Sequence, residues 1–190
     1  MTLAAPTEAT TKRIQSDYYV EGYALTYGPY ELFKDDDYTV NEDIARTAFT
    51  GTDMSDVILQ FDHEGFVYAR TSNGTLGMEL DEHGLLIWAD LSKTSRGRQL
   101  FEDIQSGMVT KMSFRASVDC DFEHVNEHEG INHIQSIRRL YDVSAVSIPA
   151  NDGTEIVARM KNAKNKHADD GKDDNDDALK LKLKLKLGGK

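Results

Sequence analysis

Apolar and polar residues alternate most strictly from Lys111 to Val118. Met112, Phe114, Ala116 and Val118 share one face of an extended strand, and Lys111, Ser113, Arg115 and Ser117 the other. A second alternation, Val57 to His63, sets Val57, Leu59, Phe61 and His63 against Ile58, Gln60 and Asp62. In a third, Leu140 to Ile148, Tyr141, Val143 and Ala145 oppose Asp142 and Ser144, and Pro149 ends the run. The aromatic-rich stretch Tyr18 to Tyr27 predicts a long first strand with a bend at Gly22. Thr75 to Asp81 and Leu85 to Leu91 predict a hairpin turning at Gly84, with Trp88 as a core anchor.

Helical periodicity is confined to two stretches. Thr94 or Ser95 caps a predicted helix to about Ser106, with Leu100, Phe101 and Ile104 as its apolar stripe and Gly107 as its stop. Asn41 caps a shorter predicted helix through Phe49. Residues 64–74 and the charged run 119–132 read as loops, and Thr154 to Met160 as a short strand or helix. Together these elements predict an α+β, mainly β domain spanning residues 17–160. It follows a mobile N-terminal arm, 1–16, and precedes an acidic, polar linker, 161–178, lacking the apolar residues of a core. The tail 179–190 alternates leucine and lysine. It fits either an added strand or an unstructured basic segment.

Charge and cysteine content narrow the function classes. The 190-residue chain carries a net charge of −11. Residues 17–160 hold 11 basic and 26 acidic side chains, a net charge of −15 that disfavours nucleic acid as a ligand. The one cysteine, Cys120, lies between Asp119 and Asp121, where a thiolate is disfavoured; it forms no intrachain disulfide and fits a reducing compartment. No apolar run approaches the roughly 20 residues of a membrane span, so a soluble, intracellular protein is expected.

The candidate chemistry lies on the three alternating strands. Ser113 faces away from the apolar row, between two cationic neighbours, which suits either a solvated serine or a nucleophile. His63, where an apolar row ends, reads as a histidine at the core rim or as a base reaching over the strand end. Asp142 is turned from its local apolar row as well. Asp35, Asp36 and Asp37 lack the alternate spacing of a calcium loop. His124 and His128 would meet on a helix, but the run is too polar to predict one and no third ligand is fixed by spacing. No metal or cofactor is therefore expected.

Taken in order, several short pieces resemble the prohead maturation proteases of tailed phages. They are Gly22-Tyr23-Ala24, Glu42-Asp43-Ile44, Phe61-Asp62-His63, Leu76-Gly77, Met112-Ser113-Phe114, and Asp142-Val143-Ser144 through Pro149-Ala150-Asn151. The resemblance covers Tyr18 to Met160. It implies a small closed or partly open β-barrel with a few surrounding helices, similar to the herpesvirus capsid protease (assemblin). It also implies a serine endopeptidase that processes the major capsid protein, a scaffold protein or both inside the immature capsid in the host cytoplasm, and the lysine-rich, glycine-bearing tail suggests self-cleavage.

By the same resemblance Ser113 is the nucleophile, His63 the general base and Asp142 the third member. The backbone amides of Ala150 and Asn151 are the oxyanion donors, and Arg138 or Arg139 either assists through water or belongs to a solvated arginine pair. Dimerisation is expected by analogy with the herpesvirus enzymes. The family often has glycine and an aromatic residue soon after the serine, where this chain has Arg115 and Ala116. A non-catalytic assembly or scaffolding protein with the same barrel is the competing expectation, and a metal hydrolase using His124 and His128 ranks third.

Overall fold

The computed structural model describes residues 13–159. The predicted segments 161–178 and 179–190 and most of the N-terminal arm lie outside the described residues. Ten strands and one α-helix form two sheets. One sheet has the order β10-β1-β7-β6, from β1 (Tyr19–Thr26), β6 (Leu76–Leu80), β7 (Gly84–Asp90) and β10 (Glu155–Arg159). The other runs β2-β3-β9-β4-β5, with β8 paired to β9. Its strands are β2 (Tyr30–Lys34), β3 (Thr39–Ile44), β4 (Ile58–Phe61), β5 (Glu64–Arg70), β8 (Lys111–Asn126) and β9 (Glu129–Val146). The mainly β class holds. The sheets do not close into a barrel, and helix α1 (Ser95–Gln105) is the single α-helix among the described residues.

β9 is the spine of the larger sheet. Its first part pairs in parallel with β3, from Thr39↔Glu129 to Ile44↔Ile134. Its last part pairs in parallel with β4, from Ile58↔Asp142 to Phe61↔Ala145. Along the other edge β8 runs antiparallel to it for almost its whole length. The core between the sheets gathers Val20, Leu25, Leu59, Ile87, Met112, Leu140, Val143 and Ile156 with Leu100, Phe101 and Ile104 of α1. Burying each large side chain of this kind is worth roughly 1.5–3 kcal/mol.

Several sequence expectations need correction. Residues 41–44 continue a strand instead of opening a helix. Asn41 Nδ2 donates to Glu129 Oε1 at 2.8 Å, and pairing with β9 overrides the capping signal. The stretches expected as loops are strands: β5 occupies much of 64–74, and β8 and β9 run through the charged segment 119–132. Polar pairing across that ribbon, such as Ser136 Oγ to Asp119 Oδ2 at 2.9 Å, replaces the apolar alternation that announces a strand elsewhere.

Gly84 begins β7 instead of making the turn. A Cβ there would run into the Leu25 carbonyl, and a Cβ on Gly22 into the Glu155 carbonyl. The irregularity in β1 lies between Tyr23 and Leu25, not at Gly22. Trp88 lies outside the core, covering Gly77, with the Arg13 guanidinium 4.8 Å over its ring. The long helix forms as predicted: Thr94 Oγ1 accepts from Gly97 N at 2.9 Å, and Gly107 stops the chain at φ 78°.

Candidate active site

The site is assembled where β4, β9 and β8 lie side by side. Ser113 of β8 is directly opposite Ser144 of β9, which is level with Gln60 of β4. Two residue pairs along, on the same face, Arg115 is opposite Asp142, which is level with Ile58. Paired residues share a face with their Cβ atoms about 5 Å apart, so Ser113, Ser144, Arg115, Asp142 and Gln60 form one polar patch across three strands.

His63 joins this patch through a turn, not through the strand phase. Strand β4 ends at Phe61, and Phe61 pairs with Glu64 across the two-residue loop Asp62-His63. Both loop residues have positive φ, 48° and 59°, as in a type I′ hairpin turn. Aspartate and histidine tolerate this region better than most residues, but glycine is the usual occupant of the second position, and the conformation costs on the order of 1–2 kcal/mol. Neighbouring polar groups hold it down. Asp62 accepts from Ser147 N at 2.8 Å and from Ser147 Oγ at 2.9 Å, and His63 N donates to Ser144 Oγ at 3.2 Å. Simple alternation places His63 with Leu59 on the core side; the turn carries it to the side of Asp142.

The result is a histidine–carboxylate pair. His63 Nδ1 lies 2.6 Å from Asp142 Oδ1, which also accepts from Ser144 Oγ at 2.9 Å. Arg115 Nε lies 2.7 Å from Asp142 Oδ2. Its N–H is not directed at that oxygen, so Oδ2 has a cationic neighbour but no hydrogen bond. Arg115 Nη2 also reaches Gln60 Oε1 at 3.5 Å. Turned from its local apolar row, Asp142 is nonetheless closed to solvent: its side chain is 0 % exposed, with His63 at one oxygen and Arg115 beside the other. A carboxylate so placed is tolerable only because a cation and several donors surround it, and removing one partner of such a pair typically costs about 3–5 kcal/mol.

Ser113 is half-buried, and its hydroxyl has no hydrogen-bond partner among the described residues. With Nδ1 engaged by Asp142, the imidazole nitrogen left over is Nε2. Met112, next to Ser113, is fixed on both backbone groups by Thr154: Met112 N donates to Thr154 Oγ1 at 3.1 Å, and Thr154 Oγ1 donates to Met112 O at 2.6 Å. Ala150 and Asn151 share with Ser113 an open groove of about 250 Å³. Asn151 is anchored by its side chain, Nδ2 to Thr26 Oγ1 at 3.1 Å and Gly153 N to Oδ1 at 2.8 Å. The backbone N–H groups of Ala150 and Asn151 have no hydrogen-bond partner among the described residues.

Other sequence candidates are not drawn into the site. Arg138 contacts Ser117 and Asp119, and Arg139 lies 3.6 Å from Asp53. His124 meets the Tyr38 hydroxyl at 3.2 Å, while His128 faces the Asp37 carbonyl at 3.0 Å, so the two do not form a chelating pair. Sequence reading missed the structural parts of Ser144, Gln60 and the Asp62–Ser147 clamp. The one signal for them is Ser144 standing two residues beyond Asp142, on the same face of one strand.

No helix among the described residues is long and apolar enough to cross a membrane. No curated protein and no solved structure matches the chain significantly. One family model does, over residues 6–169, a span that contains all the groups described above, and by that match the chain belongs to the caudovirus prohead serine proteases.

Proposed function

We propose that this chain is a serine endopeptidase that cleaves the major capsid protein, a scaffold protein, or both inside the prohead, with Ser113 as nucleophile, His63 as general base and Asp142 as the group that orients the imidazole. The observation that carries this reading is the 2.6 Å pair between His63 and the fully buried Asp142, set across one strand pairing from Ser113. With Asp142 on Nδ1, the neutral imidazole presents Nε2 as the acceptor. It takes the Ser113 proton as Oγ attacks a peptide carbonyl and returns it to the leaving amine; water then repeats the sequence on the acyl-enzyme. The buried carboxylate stabilises the imidazolium formed between these steps.

The amides of Ala150 and Asn151 serve as donors to the oxyanion, and their lack of internal partners supports that role. Losing such a donor typically costs about 10²–10³ in rate. A herpesvirus-protease-like ancestry of the two-sheet fold and removal of the chain's own lysine-rich tail by self-cleavage belong to the same proposal. The test is intact mass over time for the full chain and its Ser113→Ala variant, each alone and with the capsid and scaffold proteins of the same phage. Fragments with the unaltered chain alone support a serine protease and map its sites. Shell assembly without fragments in either case favours a scaffolding protein.

A further inference from the structure

The groove beside Ser113 holds a second carboxylate. Glu42 of β3 and Tyr30 of β2 line it together with the apolar Leu32, Phe114, Val118 and Ile134, and Arg115, the neighbour of Asp142, lines it as well. The Tyr30 hydroxyl donates to Glu42 Oε1. Burial pushes the Glu42 carboxyl above its usual range, against a lowering by the Tyr30 bond, and burial also pushes the Tyr30 hydroxyl up. Glu42 differs from Asp142 in one respect that matters: no cation pairs with it among the described residues. A partly buried carboxylate with a single neutral donor is under-compensated, and an arriving cation would relieve that cost.

We propose that Glu42 is the specificity-determining residue of this groove and that it seats a lysine or arginine side chain of the substrate. This assignment rests on the protease reading above for its consequence in cleavage, though not for the binding itself. The apolar side chains of the groove match the aliphatic stem of a basic side chain, and the Glu42 carboxylate matches its charged head. A glutamate or aspartate in the same position meets Glu42 with like charge and no compensating donor. The acidic domain as a whole draws basic segments toward the groove. Beyond Met112, whose N–H and C=O are held by Thr154, the edge of β8 away from β9 has no strand paired to it among the described residues, and an extended segment can lie there.

The test measures binding separately from chemistry. The full chain with Ser113→Ala is titrated with acetylated twelve-residue peptides of alanine, serine and valine, in which lysine, norleucine or glutamate is walked through each position. Fluorescence anisotropy gives the affinities. At one or two positions lysine is expected to bind about tenfold or more tighter than norleucine, with glutamate weakest, as a partly desolvated charge pair implies. Adding Glu42→Gln should bring lysine and norleucine to within about threefold of each other, whereas Glu42→Asp should keep part of the preference. The seat is overturned if no position prefers lysine, if no peptide binds, or if the preference survives Glu42→Gln in a variant with an intact thermal transition. Hydrolysis of the same peptides by the chain with Ser113 intact is scored separately. A lysine preference in binding without hydrolysis removes the protease reading and leaves the seat, and hydrolysis without a preference does the reverse.

Discussion

Two histidine–carboxylate groups meet along β9, and they differ in almost everything except their chemistry. Near the end of the strand, His63 faces Asp142 at 2.6 Å, with the aspartate 0 % exposed. Near its start, His133 faces Glu123 at 3.0 Å and Asp43 at 3.9 Å, with Glu123 64 % exposed. The outer group gains little from its charges, since water and salt screen them. The inner pair is held by two strands, a strained turn and Arg115, and its charge cannot be neutralised by solvent. Burial, not the mere presence of histidine beside a carboxylate, separates a group that can organise a reaction from one that decorates a surface.

The sharpest challenge to this contrast is Ser113→Ala. It should lower the rate of peptide cleavage by at least about a thousandfold while leaving the thermal transition close to that of the parent chain, because a half-buried serine without partners contributes little to packing. Mass spectrometry and calorimetry on the same samples check both halves.

Asp142→Asn should come next, with a rate loss of about 10³–10⁴ if the carboxylate sets the imidazole tautomer. The matching change at the outer group, Glu123→Gln, should leave the rate as it is. Equal effects of the two would erase the distinction between them.

Arg115→Met probes how the inner carboxylate is shared. Its cation stands 2.7 Å from Asp142 Oδ2, so removing it leaves the whole negative charge to His63. The rate should fall about 10–100-fold at neutral pH while the thermal transition stays close to that of the parent chain. A purely structural arginine would instead lower the thermal transition along with the rate.

A third carboxylate gives the scale for burial without histidine. Burial of Asp90 raises its pKa, but hydrogen bonds from Ser16 and Ser92 and the neighbouring Lys93 outweigh this and hold it at about 2. Because that value lies below the ordinary carboxylate range, the stabilisation is present above roughly pH 4 and is lost as pH falls toward the folded value. Asp90→Asn should therefore cost about 1–3 kcal/mol at neutral pH and flatten the acid limb of stability, as denaturant melts at several pH values would show. The smallest effect is expected for His133→Ala, within about 0.5 kcal/mol in the same melts.

Much of this was legible in the chain, for physical reasons that differ by element. Helix α1 was readable because its cap, stripe and glycine stop all agree. Ser113 and Asp142 were readable as polar interruptions of apolar strands, and the family match over residues 6–169 bears out the resemblance as a whole.

The face on which His63 meets them was not readable, because it depends on a two-residue turn whose residues carry no glycine. Nor was the burial of Asp142, which depends on Arg115 arriving from a strand nearly thirty residues earlier. The β8–β9 ribbon was misread as a loop because its tip trades apolar alternation for charged pairs, and β3 because its capping asparagine is used across strands.

The most direct test of the account is labelling of the full chain with a fluorophosphonate, followed by peptide mapping. A single adduct on Ser113 is expected, absent in Ser113→Ala and formed far more slowly in Asp142→Asn and His63→Ala. An adduct on another residue, or labelling of Ser113 at an unchanged rate in both pair variants, would contradict the claim that the buried His63–Asp142 pair activates this serine.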